Sequence, residues 1–96
     1  MYYVIYKIIN LVNSKIYIGA HKTSDLEDGY MGSGKLIKRA IDKYGIDNFI
    51  KEYIFTFDNE HEMYKMESII VDYDYLKNKN IYNIKEGGFC GWSKIN

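Results

Sequence analysis

Residues 2–9, YYVIYKII, are β-branched or aromatic at every position except Lys7. In an extended chain successive side chains point to opposite faces. Tyr2, Val4, Tyr6 and Ile8 therefore share one face, and Tyr3, Ile5, Lys7 and Ile9 share the other. A strand with one wet face alternates apolar and polar residues, and this one does not. The run predicts a central strand covered on both sides. A chain of 96 residues has room for one domain, so the rest of the sequence must supply both covers.

The turn formers Asn13 and Ser14 follow, and Lys15 to Gly19 returns as a second strand, which makes a hairpin. Residues 20–32 are polar and contain glycine, as a loop would. Ser33 is placed to cap a helix running to Tyr44, with Gly45 as its stop. Leu36, Ile37, Ala40, Ile41 and Tyr44 form the apolar stripe of that helix, and Lys35, Lys38, Arg39, Asp42 and Lys43 its outer face. Phe49 to Phe57 reads as a third strand. Asp58 or Asn59 caps a second helix reaching about Tyr75, with Glu62 completing a capping box after Asn59. Residues 81–84 are a short extended piece that reads as a last short strand, and the tail from Lys85 to Asn96 shows no period. The order predicts an α+β fold: a small antiparallel sheet of about three strands, its N-terminal strand central, flanked by helices over 33–44 and 59–75.

Composition removes several classes. Fifteen isoleucines and sixteen aromatics are too many for a disordered chain. One cysteine, Cys90, cannot form an internal disulfide, and with only His21 and His61 it cannot close a structural zinc site. No stretch nears the roughly 20 apolar residues of a membrane helix, and the N-terminus lacks the features of a signal peptide. The cytoplasm is the expected compartment. Net charge is zero, but residues 1–51 carry eight basic and five acidic side chains, and residues 52–96 carry five and eight. A domain that grips nucleic acid unaided is usually basic, so this balance argues against strong independent affinity.

Three features carry chemistry. Glu67 falls inside the apolar stripe of Met63, Met66 and Ile70 on the second helix. A carboxylate there is either at the edge, reaching solvent or a lysine, or it is a metal ligand or a catalytic acid. Tyr6 and Tyr17 stand on paired strands close enough to converge, either as packing residues or as a site. Gly19 ends the second strand and admits another backbone or a ligand. Finally, Gly29, Gly34 and Lys35 have the G-x-x-x-x-G-K spacing of a phosphate loop, but Leu36 stands where that loop needs Ser or Thr and a polar run precedes it. The pattern argues against a nucleoside triphosphate site. It leaves a helix start with Lys35 beside it, suited to one phosphate.

The segment Val4-Ile5-Tyr6, a ten-residue gap, then Tyr17-Ile18-Gly19 resembles the paired motif of the GIY-YIG nucleases, with Val4 in place of the first glycine. YKIINLVNSKIYIGAHKT and GYMGSGKLIKRAIDKYGIDNF are similar to the phage-type and homing endonucleases of that family, as are the helix with a central Glu and the late YNI followed by Gly-Gly. The resemblance spans residues 2–91. It implies a DNA endonuclease that hydrolyses phosphodiester bonds with a single Mg²⁺ or Mn²⁺ on Glu67. It puts the motif tyrosines on Tyr6 and Tyr17, the motif glycine on Gly19 and a late asparagine on Asn83. The family's catalytic arginine has no counterpart in the loop after Gly19. Arg39 is the only arginine in the chain, and His21, Lys22 and Lys35 are the other cations within reach. Of these, His21 and Arg39 are the catalytic candidates, with Tyr6, Tyr17 and Glu67. Gly19, Lys22, Lys35 and Asn83 are the candidates for substrate contact. Phage-type members often join a further DNA-binding region to the nuclease module, so the implied partners are DNA and such a region or a targeting protein. Two alternatives stay open: a binding module of the same fold without catalysis, and a structure-specific repair nuclease targeted by a partner.

Overall fold

The computed structural model describes residues 1–84. Three antiparallel strands, β1 (Tyr2–Asn10), β2 (Ile16–Thr23) and β3 (Phe49–Phe57), form one sheet in the order β2-β1-β3. The central place of β1 follows from its two apolar faces. Val4, Ile5, Tyr6 and Ile8 are all buried, although they point alternately to opposite sides. Burying a side chain such as Ile5 or Ile8 contributes about 1.5–3 kcal/mol, and a three-stranded sheet buries both faces only if each has its own cover.

Helix α1 (Lys35–Tyr44) covers the first face. Its Ile37 and Ala40 pack with Tyr6, Ile8, Phe49 and Tyr82. Helix α2 (Glu60–Ile70) covers the second, where Met63 and the following Val71 pack with Ile5 and Ile18. Asn59 caps α2, its side chain accepting the Glu62 amide at 2.9 Å, as the capping pattern predicts. A β-bulge interrupts the β1–β3 register between Ile5 and Tyr6. Bulges bend a strand and re-aim its side chains, and this one lies beside Tyr6.

The hairpin between β1 and β2 closes on Asn10, which is fully buried. Its Nδ2 donates to the Tyr82 hydroxyl at 2.9 Å and its Oδ1 accepts the Val12 amide at 2.9 Å. Ser14 takes the left-handed turn conformation with φ 65°.

Four expectations are corrected. β2 does not end at Gly19 but continues to Thr23, because Ala20, His21, Lys22 and Thr23 pair in register with Ile5, Val4, Tyr3 and Tyr2 of the long central strand. The loop therefore starts at Ser24. Ser33 does not cap α1: Gly34 is the capping position and gives no side-chain bond. The second helix stops at Ile70, and a separate turn of helix, α3 (Tyr73–Leu76), begins after Asp72. The Asp72 carboxylate accepts the Tyr75 amide at 2.8 Å and so starts the new helix. Finally, residues 81–84 are not a strand of the sheet. Ile81 forms a single parallel bridge with Ile16 on the outer edge of β2. The tail from Lys85 to Asn96, with the Gly-Gly pair and Cys90, lies outside the described residues.

Candidate active site

β2 is an edge strand, and its outer rim is only partly paired. Ile16 donates to the Asn80 carbonyl at 3.1 Å and accepts the Tyr82 amide at 2.8 Å. One step further on, the Asn83 side chain replaces backbone in the ladder. Its Oδ1 accepts the Ile18 amide at 3.1 Å and its Nδ2 donates to the Ile18 carbonyl at 2.7 Å. The Tyr75 hydroxyl also donates to Asn83 Oδ1 at 3.1 Å. Beyond this point the edge opens into a cleft of about 710 Å³ that reaches both sides of the sheet. The start of α1 enters from one side and α2 from the other.

The cleft brings together Tyr6, Tyr17, His21, Lys22, Lys35, Glu67 and Asn83. It does not include Arg39. That arginine lies with Lys15 and Lys43 along a separate groove between α1 and the hairpin turn with Ile81 and Tyr82, which shares only Tyr82 with the cleft. Asn83 reaches the cleft, but its amide is already engaged with Ile18 and Tyr75, so it holds a wall of the site. Gly19 stands directly opposite Tyr6 in the β1–β2 register. A Cβ at Gly19 would lie 2.5 Å from the Tyr6 hydroxyl oxygen, and one at Gly34 would lie 3.0 Å from the Tyr17 ring. The two glycines thus make the space in which the two phenols meet, with ring centroids 6.1 Å apart.

Residues that spacing did not mark complete the site. The loop between β2 and α1 folds back over β1 through three ties. The Tyr53 hydroxyl donates to the Leu26 carbonyl. The Lys51 amine donates to the Tyr30 carbonyl at 2.5 Å. Asp28 Oδ2 lies 2.7 Å from His21 Nε2. Tyr30 then meets Tyr6 edge-on at 5.9 Å and stacks on His21 at 3.8 Å, within 4° of parallel. Lys51 covers the Tyr53, Tyr6 and Tyr30 rings at 4.9, 5.3 and 5.8 Å, each within the range of a cation–π contact. Only the stretch GYMGSGK, which contains Tyr30, carried a signal for any of them.

Electrostatics in the cleft are one-sided for the phenols. Burial pushes the Tyr6 hydroxyl far above the ordinary phenol range, helped by Tyr17, Tyr30 and the Glu67 carboxylate. Burial also raises Tyr17, again with Tyr30 and Glu67 adding to it. Tyr64, another lining residue, is raised by burial, then by Glu60 and Glu67. In this environment the phenols are neutral hydrogen-bond donors and not proton acceptors at neutral pH.

The sign gives a stability prediction. A group whose folded pKa exceeds its unfolded value of about 10 stabilises the fold below that value and loses the contribution above it. Tyr6 and Tyr17 are raised, and burial lifts Tyr75 to about 12. The melting midpoint should fall steeply once pH rises past about 10, with part of the phenolate absorbance appearing only on unfolding. A midpoint flat through that window would contradict the burial of these hydroxyls.

Glu67 is half-buried and is the only carboxylate lining the cleft among the described residues. No group of three or more His, Cys, Asp or Glu gathers anywhere among those residues, so an all-protein metal cage is absent there. Mg²⁺ seldom uses such a cage: it keeps several waters and takes one or two carboxylates plus substrate phosphate oxygens. One carboxylate lining a cleft of about 710 Å³ together with Tyr6, Tyr17 and Tyr64 fits that habit.

Among the described residues no helix is long and apolar enough to cross a membrane. No family model matches the chain, and no solved structure matches it. Five proteins of Enterobacteria phage T4 do, segB, segC and segA among them. The chain is 53% identical to segB over 96 residues, all of this chain and 43% of that protein, and 53% identical to segC over 95 residues, 99% of this chain and 48% of that protein. Both are provisionally named endonucleases. It is 43% identical to Endonuclease segA over 86 residues, 90% of this chain and 39% of that protein. The chain thus spans less than half the length of the phage relatives it matches.

Proposed function

We propose that this chain is a divalent-metal-dependent DNA endonuclease module of the GIY-YIG, phage or mobile-element type, which hydrolyses phosphodiester bonds. The observation that carries the reading is the convergence of Tyr6, Tyr17, Lys35 and Glu67 on one cleft at the β2 edge. Similarity to phage endonucleases over 90–100% of this chain supports it.

In this reading Glu67 holds one Mg²⁺ or Mn²⁺, which would supply Lewis-acid stabilisation of charge on the phosphoryl and leaving oxygens. Lys35, the first residue of α1, meets the negative charge of the phosphate beside the backbone amides of the helix start. The neutral hydroxyls of Tyr6 and Tyr17 orient the attacking water or a phosphate oxygen. Zero net charge supports a further DNA-binding region or a partner protein that chooses the site on DNA.

The test is nicking of supercoiled plasmid by the purified chain with Mg²⁺ or Mn²⁺, and its loss on chelation. DNA binding without cleavage at any concentration of either metal would favour the non-catalytic binding module. That alternative draws on one observation: the only arginine of the chain lies outside the cleft.

Arg39 separates two roles. A transition-state charge contact is worth about 100- to 1000-fold in rate. A contact to the DNA backbone changes affinity and its salt dependence instead. Its position in the groove with Lys15 and Lys43 supports a contact of Arg39 with the DNA backbone. Arg39→Ala should weaken binding and reduce the slope of log affinity against log salt by about 1, with turnover at saturating DNA unchanged within about threefold. A 100-fold loss of turnover would return Arg39 to the chemistry.

A further inference from the structure

The loop between β2 and α1 is organised around one carboxylate. Asp28 Oδ1 accepts the Tyr30 amide at 3.0 Å. Asp28 Oδ2 lies 2.7 Å from His21 Nε2 and 2.8 Å from the Thr23 hydroxyl. The imidazole is clamped on its face as well, stacked on Tyr30. His21 is set in β2 opposite Val4 of the central strand, so its backbone is fixed by the sheet while its ring is fixed by the loop. The ring lines the cleft with Lys22, Lys35 and Glu67 as the charged neighbours there.

An ionised carboxylate can only accept hydrogen bonds. Facing Nε2, it requires a proton there, and of the two neutral tautomers it selects the one with N–H at Nε2 and the lone pair at Nδ1. Among the described residues Nδ1 has no hydrogen-bond partner.

We propose that Asp28 is a positioning residue: it fixes the ring and tautomer of His21 so that Nδ1 accepts the proton of the water that attacks phosphorus. The proposal rests on the nuclease reading above for its reaction, though not for its geometry. As water oxygen bonds to phosphorus, one bridging P–O bond breaks. One water proton goes to Nδ1, and the other stays on the new phosphate oxygen and ionises to solvent. The leaving oxygen takes a proton from solvent, and the imidazolium returns its proton there. The raised phenols of Tyr6 and Tyr17 are consistent with this division, since they retain their protons.

The same contacts determine what Asp28→Asn does. The substituted amide has one oxygen, which the Tyr30 amide holds in place, so its NH₂ must face His21. The Thr23 hydroxyl keeps a partner, because its one proton can turn to the Asp25 carbonyl at 2.9 Å instead. The loop therefore survives while the imidazole must offer a lone pair at Nε2 and carry its proton on Nδ1. Nitrogen-15 spectra of the full chain, without DNA or metal and at a pH where imidazole is neutral, should show His21 protonated at Nε2 in the wild type and at Nδ1 in Asp28→Asn. In cleavage assays Asp28→Asn should lose about 10²–10⁴-fold in turnover at saturating DNA. Its KM should be unchanged or lower, because a negative charge has left the DNA-binding side. The double variant with His21→Ala should be no slower than His21→Ala alone.

An Nδ1–H or doubly protonated His21 in the wild type would overturn the proposal. So would an unchanged tautomer in Asp28→Asn, or losses that multiply in the double variant. A wild-type chain that cuts no DNA would defeat the nuclease reading and with it the proton-transfer role. The spectra would then still decide whether Asp28 sets the tautomer, so the two failures are told apart.

Discussion

Glu67→Gln should reduce metal-dependent cleavage at saturating DNA by at least about 1000-fold, the upper range for removal of one transition-state charge contact. Glutamine has nearly the same shape, so the packing of Met63 and of Val71 after the helix against the sheet is unaffected, and the melting midpoint should change little. The substitution removes the only carboxylate lining the cleft among the described residues, and with it the one hard anionic ligand available to Mg²⁺ there. DNA binding measured without metal should be equal or tighter, since a negative charge facing the phosphate is gone. This combination separates a metal ligand from a structural carboxylate. A structural Glu67 would lower the melting midpoint and leave the rate per folded molecule intact. Cleavage by Glu67→Gln at the wild-type rate would exclude the metal assignment.

The parts of this molecule that were legible in the sequence are those governed by local pattern. The central strand was legible because no half-exposed strand has two apolar faces. Glu67 was legible because a carboxylate interrupting an apolar helical stripe is anomalous by itself. Where β2 ends was not, because Ala20 to Thr23 are polar enough to read as loop, and what keeps them extended is the length of β1 beside them. The break after Ile70 depends on a cap at Asp72 that competes with a stripe running straight through it.

The site was legible in the same proportion. Tyr6, Tyr17 and Gly19 sit on paired strands, so their convergence follows from register. Asp28, Tyr30 and Lys51 meet through a loop whose path is set by tertiary ties to β3, and no spacing rule reaches that far. Lys35 and Arg39 show the limit most clearly. They are one turn apart on α1, about 6 Å along its axis, and spacing puts them on one face. The cleft opens only at the start of the helix, so the first lines it and the second lines the groove beyond Tyr82.

Gly19→Ala tests the geometry on which the whole site rests. The position is in a regular strand with no left-handed φ, so alanine is acceptable to the backbone and even restricts the unfolded chain by about 0.4–1 kcal/mol. Its methyl group, however, would lie 2.5 Å from the Tyr6 hydroxyl oxygen, 2.7 Å from Tyr6 Cζ and 3.1 Å from the Tyr17 ring. Tyr6 is 1% exposed and is flanked by Tyr17, Tyr30 and Lys51, so its ring can yield only toward the cleft and only by giving up these contacts. Overpacking of this kind costs about 1–3 kcal/mol, which exceeds the entropic gain. The melting midpoint should fall by about 5–15 °C, at 4–8 °C per kcal/mol for a domain of this size. Activity should fall further than stability, by about 100-fold or more, because a misplacement of about 1 Å at a reacting centre costs that much. Adding Tyr6→Phe to Gly19→Ala removes the atom in the closest contact but not Cζ. The double variant should therefore recover part of the melting midpoint and none of the cleavage. If Gly19→Ala melts and cuts like the wild type, the Tyr6 ring does not occupy the space above Gly19, and the meeting of the two phenols loses its basis.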